Sequence, residues 1–281
     1  MDIKEVRKQM LDEINKCEEL KQIFAEKNIS EEIVKRNVGR LHDYMYSLRD
    51  QKDCIKVGKC QHIGSTHNFK LSVDGDYLIF EPMTCPIYLK EQKVSMSYVY
   101  KDFPKEQIDL RIKDIKKDLD YTALMSGLIK YYLNKTGLLY IKDKNQKQSL
   151  EYVLSFVNQA LEEADDSNGA VIDFRNRIRK YASNYFELKE DLNNEFINLM
   201  QVDHLIIYNF GNEEQNKLIR EAFTLPLLDE RISSNKKTII ISELSLNELH
   251  SLLDYSRKDI RIKQLINKLT SNVEEEIIIN K

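Results

Sequence analysis

The sequence contains few residues that interrupt regular structure. It has no Trp, eight Gly and four Pro in 281 residues, which is typical of a helix-rich protein with short connections. No stretch approaches the roughly 18 apolar residues of a membrane-spanning helix. The N-terminal sequence MDIKEVRKQM is amphipathic and charged, unlike a signal peptide. These absences predict a soluble, cytoplasmic protein without a membrane partner.

The sequence also lacks an excess of positive charge, because its formal net charge is −3. Any contact with nucleic acid therefore has to come from a local basic patch. Hydrophobic residues make up 42% of the chain and charged residues 32%, enough for a core and a well-solvated surface. At this length we expect two domains, or one large domain with an appended module. The four cysteines are expected to be metal ligands or core residues rather than disulfides.

The N-terminal residues predict two amphipathic helices. Apolar residues recur every three or four positions between residues 3 and 24, on one face of a helix. Cys17 falls on that face, so we expect it in the core, where a free Cys packs like a small hydrophobe. Ser30 is followed by two glutamates and predicts the start of the second helix. Two such helices must pack on the next segment or offer a groove to a partner.

A predicted β-hairpin over residues 69–80 brings potential metal ligands together. Asp74-Gly75 is a strong turn signal, and a turn centred there places residue 67 opposite residue 82. Three thiolates and one imidazole form a common closed zinc site. We therefore predict zinc bound by Cys54, Cys60, His67 and Cys85. His62 competes with His67, and the alternative is three unrelated cysteines around a hairpin.

From about residue 120 onward, apolar strands alternate with amphipathic helices. Strands are predicted at 138–141, 170–174, 204–210, 237–242 and 275–280. The third of these is almost wholly apolar, as a parallel strand buried on both faces should be. The alternation predicts a three-layer α/β domain with a parallel sheet at 120–281. We expect a charged linker at 96–119 and a helical domain with the zinc hairpin at 1–95.

Residues 137–149, GLLYIKDKNQKQS, have the strand, loop and helix layout of a phosphate-binding loop. A working loop, GxxxxGK[ST], needs glycines so that backbone N–H groups can surround a phosphate, a Lys for the β- and γ-phosphates, and a hydroxyl for magnesium. Only Ser149 fits this pattern. Where glycines and the lysine would stand, this chain has Lys142, Asn145, Lys147 and Gln148.

With this order of elements, the chain resembles the bacterial primosomal helicase loaders of the DnaI type along nearly its whole length. The helix pair, the cysteine-bearing hairpin and Cys85-Pro86 resemble their helicase-binding domain. TGLLYI (136–141) resembles the strand that feeds the phosphate loop of their AAA+ ATPase domain. The family opens its zinc site with Cys-x-x-Cys, whereas Gln51 stands where the first of those cysteines would be. The resemblance implies zinc, a replicative DNA helicase as partner, and a P-loop/AAA+-like α/β domain.

Several parts of that family's ATP site are missing together in this chain. Tyr208-Asn209 stand where two acids would hold magnesium, and Glu243 stands at the sensor asparagine position. Arg220 is the candidate for a retained finger-type arginine, with an exposed helix arginine as the alternative. Magnesium and the missing lysine stabilise charge on the γ-phosphate. The resemblance therefore implies a pseudo-ATPase without bound ATP or magnesium, in which Ser149 and Arg220 are vestiges of the nucleotide site.

Three functions stay open from the sequence. The first is a replication-initiation accessory protein that binds the replicative DNA helicase through its N-terminal domain, with other primosome or initiator proteins and single-stranded DNA as candidate further partners. The second is a divergent AAA+ loader that still hydrolyses ATP, and the third is a fold-retaining interaction protein that no longer binds helicase. Two groups of basic residues are available for DNA phosphates, with solvated surface as the alternative: Lys142, Lys144 and Lys147, and Arg175, Arg177, Arg179 and Lys180.

Overall fold

The computed structural model describes residues 3–57, 68–75, 77–115, 118, 121–133, 137–212, 219–254, 260–273 and 276–279. The chain divides into two compact units, Met1–Gln92 and Lys93–Lys281. Their boundary falls inside a helix, Pro86–Ser97. Within the described ranges, no helix has the length and apolar character needed to cross a bilayer.

Helices and a β-hairpin form the first unit. The helices that lie entirely within it are α1 (Ile3–Lys16), α2 (Glu18–Glu26), α3 (Glu31–Arg36) and α4 (Val38–Val57). Each of the two predicted helices is thus interrupted once, at Cys17 and at Asn37. Ser30 caps α3 as predicted, because its hydroxyl accepts a hydrogen bond from the backbone N–H of Ile33 at 3.4 Å. Cys17 is 6% exposed and lies in the core that the helices share with the hairpin, as predicted.

The hairpin pairs β1 (Asn68–Asp74) with β2 (Tyr77–Met83). Pairing begins with Asn68 opposite Met83 and ends with Asp74 opposite Tyr77, a register two residues away from the predicted one. Gly75 has a φ of +58°, a conformation that glycine adopts without steric cost. Asp74 stays in the ladder, so Gly75 occupies the first turn position instead of the second. A signal of the Asp-Gly type predicted the turn correctly but not its centre.

The second unit is built on a parallel sheet. In the described residues this sheet has six strands in the order β3-β5-β6-β7-β4-β8. They are β3 (Tyr98–Lys101), β4 (Leu138–Asp143), β5 (Gly169–Asp173), β6 (His204–Tyr208), β7 (Lys237–Ser242) and β8 (Glu276–Ile279). Ile206 of β6 contributes to the core on one face of the sheet and Ile207 to the core on the other. Burial on both faces explains the continuous apolar sequence of the central strands, and the predicted α/β fold class is confirmed.

Helices cover both faces of this sheet. They follow α5, the boundary helix Pro86–Ser97, and are α6 (Thr122–Leu133), α7 (Gln146–Glu163), α8 (Phe174–Ser183), α9 (Lys189–Gln201), α10 (Leu225–Ser233), α11 (Leu246–Asp254) and α12 (Ile260–Asn272). The first two after α5 pack on one face, and the remaining five pack on the other. The helical run predicted from residue 176 to residue 199 is two helices, α8 and α9, separated by residues 184–188.

Residues 96–119, predicted as a linker, belong to the second unit where the structure describes them. They contribute β3, which pairs with β5, and two short 3-10 turns. The amide of Asn158 on α7 is fully buried and donates to the carbonyls of Gln107, Ile108 and Leu110 at 3.1, 3.0 and 3.1 Å. Its oxygen accepts from the Tyr98 hydroxyl at 2.8 Å. Because the side chain of Asn158 holds this segment in place, the segment needs no hydrophobic periodicity of its own. Its sequence therefore has the character of a linker.

Candidate functional site

The carboxyl end of β4 leads directly into the predicted phosphate loop. β4 pairs with β7 on one side and with β8 on the other. The helices that follow β4 and β7 pack on opposite faces of the sheet, so the ends of these strands form a topological switch point. Open parallel sheets bind their ligands at such points. The connection from β4 to α7 contains only Lys144 and Asn145.

Asp143, the last residue of β4, is the centre of a buried polar cluster. It is 0% exposed. Its carboxylate accepts hydrogen bonds from the Ser149 hydroxyl at 2.6 Å, the Tyr121 hydroxyl at 3.0 Å and the Asn145 backbone N–H at 2.8 Å. Burial raises the pKa of Tyr121, and the hydrogen bond to Asp143 raises it further, so the phenol stays protonated and donates. The Ser149 hydroxyl is therefore directed at a carboxylate of its own chain.

Gln146, the first residue of α7, joins the start of this helix to the end of β6. Its side chain is buried, with the residue 6% exposed, and its Oε1 accepts from the Asn209 backbone N–H at 2.7 Å. Its Nε2 is buried and has no hydrogen-bond partner in the part of the chain that the structure describes. A buried donor without a partner costs about 1–3 kcal/mol. This amide therefore has a buried donor that no described group uses.

The lysines beside the loop have different surroundings. Lys142 forms an ion pair with Glu248 of α11 at 2.8 Å, and its hydrogen bond lowers the pKa of Glu248 to about 2. Lys144 and Lys147 are exposed. Gln148, at the family's lysine position, donates to Asp118 at 3.4 Å. The one half-buried lysine of the loop is thus engaged by a carboxylate.

Three further positions of the predicted nucleotide site, Tyr208, Asn209 and Glu243, lie at the carboxyl ends of β6 and β7, along the same edge of the sheet. The Tyr208 hydroxyl donates to the carbonyl of Asp102 at 2.6 Å, and burial raises the pKa of Tyr208. Asn209 follows with a φ of +58°, and Glu243 is exposed just beyond β7. Arg220 begins a π-helical turn, Arg220–Thr224, and its side chain lies outside the described part. Ser149 and the end of β6 are brought to one edge, but residues 204–212 contain no carboxylate.

The basic residues of α8 differ from the prediction at one position. Arg175, Arg179 and Lys180 are exposed. Arg177 is instead held by the carboxylates of Asp102, at 2.7 and 2.9 Å, and Glu195, at 2.7 Å. Burial alone would lower the pKa of Arg177, but its bonds to these two carboxylates raise it. Arg177 is therefore a structural ion-pair residue, and the prediction that it is available to DNA phosphates is wrong.

Two of the predicted zinc ligands lie in the described part of the first unit. Cys54, in the last turn of α4, is 2% exposed, and Cys85, just before α5, is 6% exposed. Cys60, His62 and His67 lie outside the described residues. Among those that are described, no three Cys, His, Asp or Glu side chains are grouped so as to hold a metal. The zinc site therefore stays a prediction.

Asp143 and Tyr121 are the residues of this site that the sequence reasoning missed. A single signal was present, namely an acidic residue at the end of a strand that begins with four apolar residues, LLYIKD. A charged residue is almost never fully buried unless it is paired or hydrogen-bonded. Burial of the whole strand therefore implied donors around Asp143, but their identity depends on the tertiary fold.

Comparisons with known proteins agree with this architecture. A scan of protein-family models gave no match, and a search of curated proteins gave none. Among solved structures, the chain is similar to the crystal structure of the DnaI, with 16% identity and a TM-score of 0.53 over 66% of this chain and 98% of that chain. It is also similar to a "putative primosome component" from Streptococcus pyogenes serotype M3, with 14% identity and a TM-score of 0.52 over 67% of this chain and 95% of that chain. The predicted resemblance to DnaI is thereby confirmed for the fold.

Proposed function

We propose that this protein is an accessory factor of DNA replication initiation that resembles the helicase loaders in role, binds a replicative DNA helicase through its first unit, and does not hydrolyse ATP. The DnaI-like fold supports the first part of this proposal. The buried carboxylate of Asp143 carries the last part, because it holds the hydroxyl of Ser149 and a backbone N–H of the loop. These are the group types that a nucleotide needs for magnesium and phosphate. Loading would then run on binding energy and on conformational change in the partners.

A phosphate in this loop would meet an existing negative charge. Two unit charges about 4 Å apart interact by roughly 4 kcal/mol at an effective dielectric constant of about 20. The usual compensation is the lysine of the loop and an acid-bound magnesium ion. Here Gln148 replaces the lysine, and β6 ends in Tyr208 and Asn209. The charge balance at this edge therefore favours the empty, self-bonded loop over bound ATP.

Calorimetric titration of the intact protein with MgATP is the test of this part. We expect no binding heat at millimolar ATP, because the donors of the loop are already bonded to Asp143. Micromolar affinity would contradict the proposal and favour the divergent, ATP-hydrolysing loader. In that case Ser149→Ala should abolish the binding, since its hydroxyl would be needed for magnesium.

The outward face of the hairpin is the surface that we propose for helicase contact. Tyr77 is 77% exposed and Ile79 is 40% exposed. These two residues lie on one face of β2, while Leu78 between them is buried in the core of the first unit. Exposed Tyr and Ile on a rigid strand are suited to bury apolar area in a partner, and Tyr is enriched at energetically important interface positions.

Affinity capture of a replicative helicase by the full-length chain tests this surface. We expect the double substitution Tyr77→Ser, Ile79→Ser to reduce capture by about tenfold or more. Phe186→Ser is the matched control, because Phe186 is 87% exposed but lies in the second unit. Equal capture by both variants would refute the surface. Absence of capture by the unsubstituted protein would favour the third function, an interaction protein without helicase binding.

We also propose that the first unit binds one zinc ion through Cys54, Cys60, Cys85 and either His67 or His62. Two buried thiols at the ends of elements that flank the hairpin support this donor set, and thiolates with imidazole suit zinc. Elemental analysis of the purified full-length protein should give one zinc per chain. Cys85→Ala should lose it, whereas Cys17→Ala, also a buried cysteine of the first unit, should keep it. Absence of zinc from the unsubstituted protein would contradict the site.

Contact with single-stranded DNA is proposed for α8 and the loop that follows it. Arg175, Arg179 and Lys180 are exposed on this helix. Phe186 in the adjoining loop is 87% exposed and has its ring edge-to-face with Tyr185, with centroids 5.6 Å apart. Exposed cations beside an exposed aromatic ring form the combination that binds phosphates and stacks bases without sequence preference.

A further inference from the structure

We infer that Asp143 is the resident anion of an oxyanion site, which the protein keeps closed with its own carboxylate. The inference rests on the proposed loss of nucleotide binding and gives its physical reason. Asp143 is thus both the last residue of β4 and an internal ligand of this site. The site would accept a free oxyanion only when this carboxylate is removed.

Donors from three parts of the chain converge on the Asp143 carboxylate. The Tyr121 and Ser149 hydroxyls both bond to Oδ2, at 3.0 and 2.6 Å, and the Asn145 N–H bonds to Oδ1 at 2.8 Å. Tyr121, Asp143 and Ser149 are all 0% exposed, so solvent is not available to replace any of them. The same donors would hold any small oxyanion of similar shape.

Two further features indicate that the site was built for an anion rather than for this side chain alone. The cluster lies at the N-terminal end of α7, an 18-residue helix, and the N-terminus of a helix favours negative charge. Gln146 in the first turn is 6% exposed, and its Nε2 lacks a partner within the described ranges. The start of α7 therefore has one more buried donor than the Asp143 carboxylate uses.

Removal of the carboxylate makes the inference testable with a defined probe. Asp143→Ala deletes the acidic group and removes the acceptor that these three donors share in a buried space. Formate has the size and charge of the group that is removed. Formate should therefore bind to the variant and stabilise its folded state, as any ligand does that binds only the native form.

The measurement is the thermal unfolding temperature of the full-length Asp143→Ala protein in sodium formate and in sodium chloride at equal ionic strength. At a formate concentration of about ten times its Kd, we expect an increase of about 3–6 °C over chloride. The unsubstituted protein should show no difference. Asp173→Ala is the matched control, because Asp173 also ends a strand and accepts from a backbone N–H, that of Asn176, but is only partly buried.

If Asp143→Ala does not fold in sodium chloride, its refolding yield replaces the unfolding temperature as the measured quantity. In that case the refolding yield of Asp143→Ala is compared in formate and in chloride, and formate should raise it. Equal unfolding temperatures, or equal yields, in the two salts would overturn the anion site. That result would leave the MgATP calorimetry unaffected. Conversely, MgATP binding by the unsubstituted protein would overturn the proposed loss of nucleotide binding whatever formate does.

Discussion

Replacement of Arg231 by methionine is expected to lower the free energy of unfolding by about 3–5 kcal/mol. Arg231 on α10 is 0% exposed. Its Nη1 donates to the carbonyls of Leu199 and Val202 at 2.7 and 2.8 Å, which lie at the end of α9. Its Nη2 and Nε donate to the Lys237 carbonyl and the Thr238 hydroxyl, at 2.7 and 2.9 Å, at the start of β7. One guanidinium thus acts as the hydrogen-bond donor for the free carbonyls at the C-terminal end of α9, and it links this helix to the start of β7.

The charge state of Arg231 supports this expectation. Burial lowers its pKa to about 10, an effect that Tyr131 and Asp203 partly oppose, so the side chain is still protonated at neutral pH. Methionine keeps much of the volume but donates no hydrogen bond, which leaves buried carbonyls without a partner. Arg231→Lys should recover only part of the loss, because an ammonium group lacks the planar fork of donors.

Urea unfolding of the full-length protein, followed by circular dichroism, measures this effect. Arg175→Met serves as the control, because Arg175 is exposed and a surface substitution of this kind usually changes stability by less than about 0.5 kcal/mol. A loss below about 1 kcal/mol for Arg231→Met would show that water or a neighbouring group replaces the guanidinium, contrary to this account.

Reversal of the three exposed charges on α8 is expected to have the second largest effect. The triple substitution of Arg175, Arg179 and Lys180 by glutamate should weaken single-stranded DNA binding on the order of 100-fold at low salt, because each cation that meets a phosphate releases counterions. The dependence of affinity on salt should flatten at the same time. Phe186→Ala should cost a further ~1–3 kcal/mol if a base stacks on its ring.

Fluorescence anisotropy of a labelled oligonucleotide is the measurement for this surface. A charge-matched control reverses three exposed lysines of the first unit, Lys8, Lys16 and Lys27. If both triple variants lose affinity equally, net charge rather than α8 determines binding. If neither loses affinity, the exposed cations of α8 are solvated surface, which was the alternative reading of the sequence.

The strands and their order of appearance could be predicted because their signal is local. The strands β4, β6 and β7 each contain an uninterrupted apolar run, LLYI, LIIY and III, as burial on both faces requires. The hairpin was predicted from Asp-Gly, but its register depends on which of two turn positions the glycine takes, and sequence alone does not decide this.

The candidate site could be predicted only in part. Ser149 was recognised because it fits a known spacing. Its acceptor, Asp143, was missed because the burial of that acid depends on Tyr121, 22 residues earlier. Arg177 was taken for a free cation because its partners, Asp102 and Glu195, are distant in sequence. Contacts that join separate elements leave no periodic trace in the sequence.

The hydrogen bonds of Asn158 determine where the chain can be shortened. A fragment that begins at residue 120 would lack β3 and the three carbonyls that receive the Asn158 amide. It would also expose the edge of β5 along which β3 pairs, and an unpaired strand edge invites association between molecules. A recombinant form of the second unit should therefore start no later than Lys93, where the compact unit itself begins.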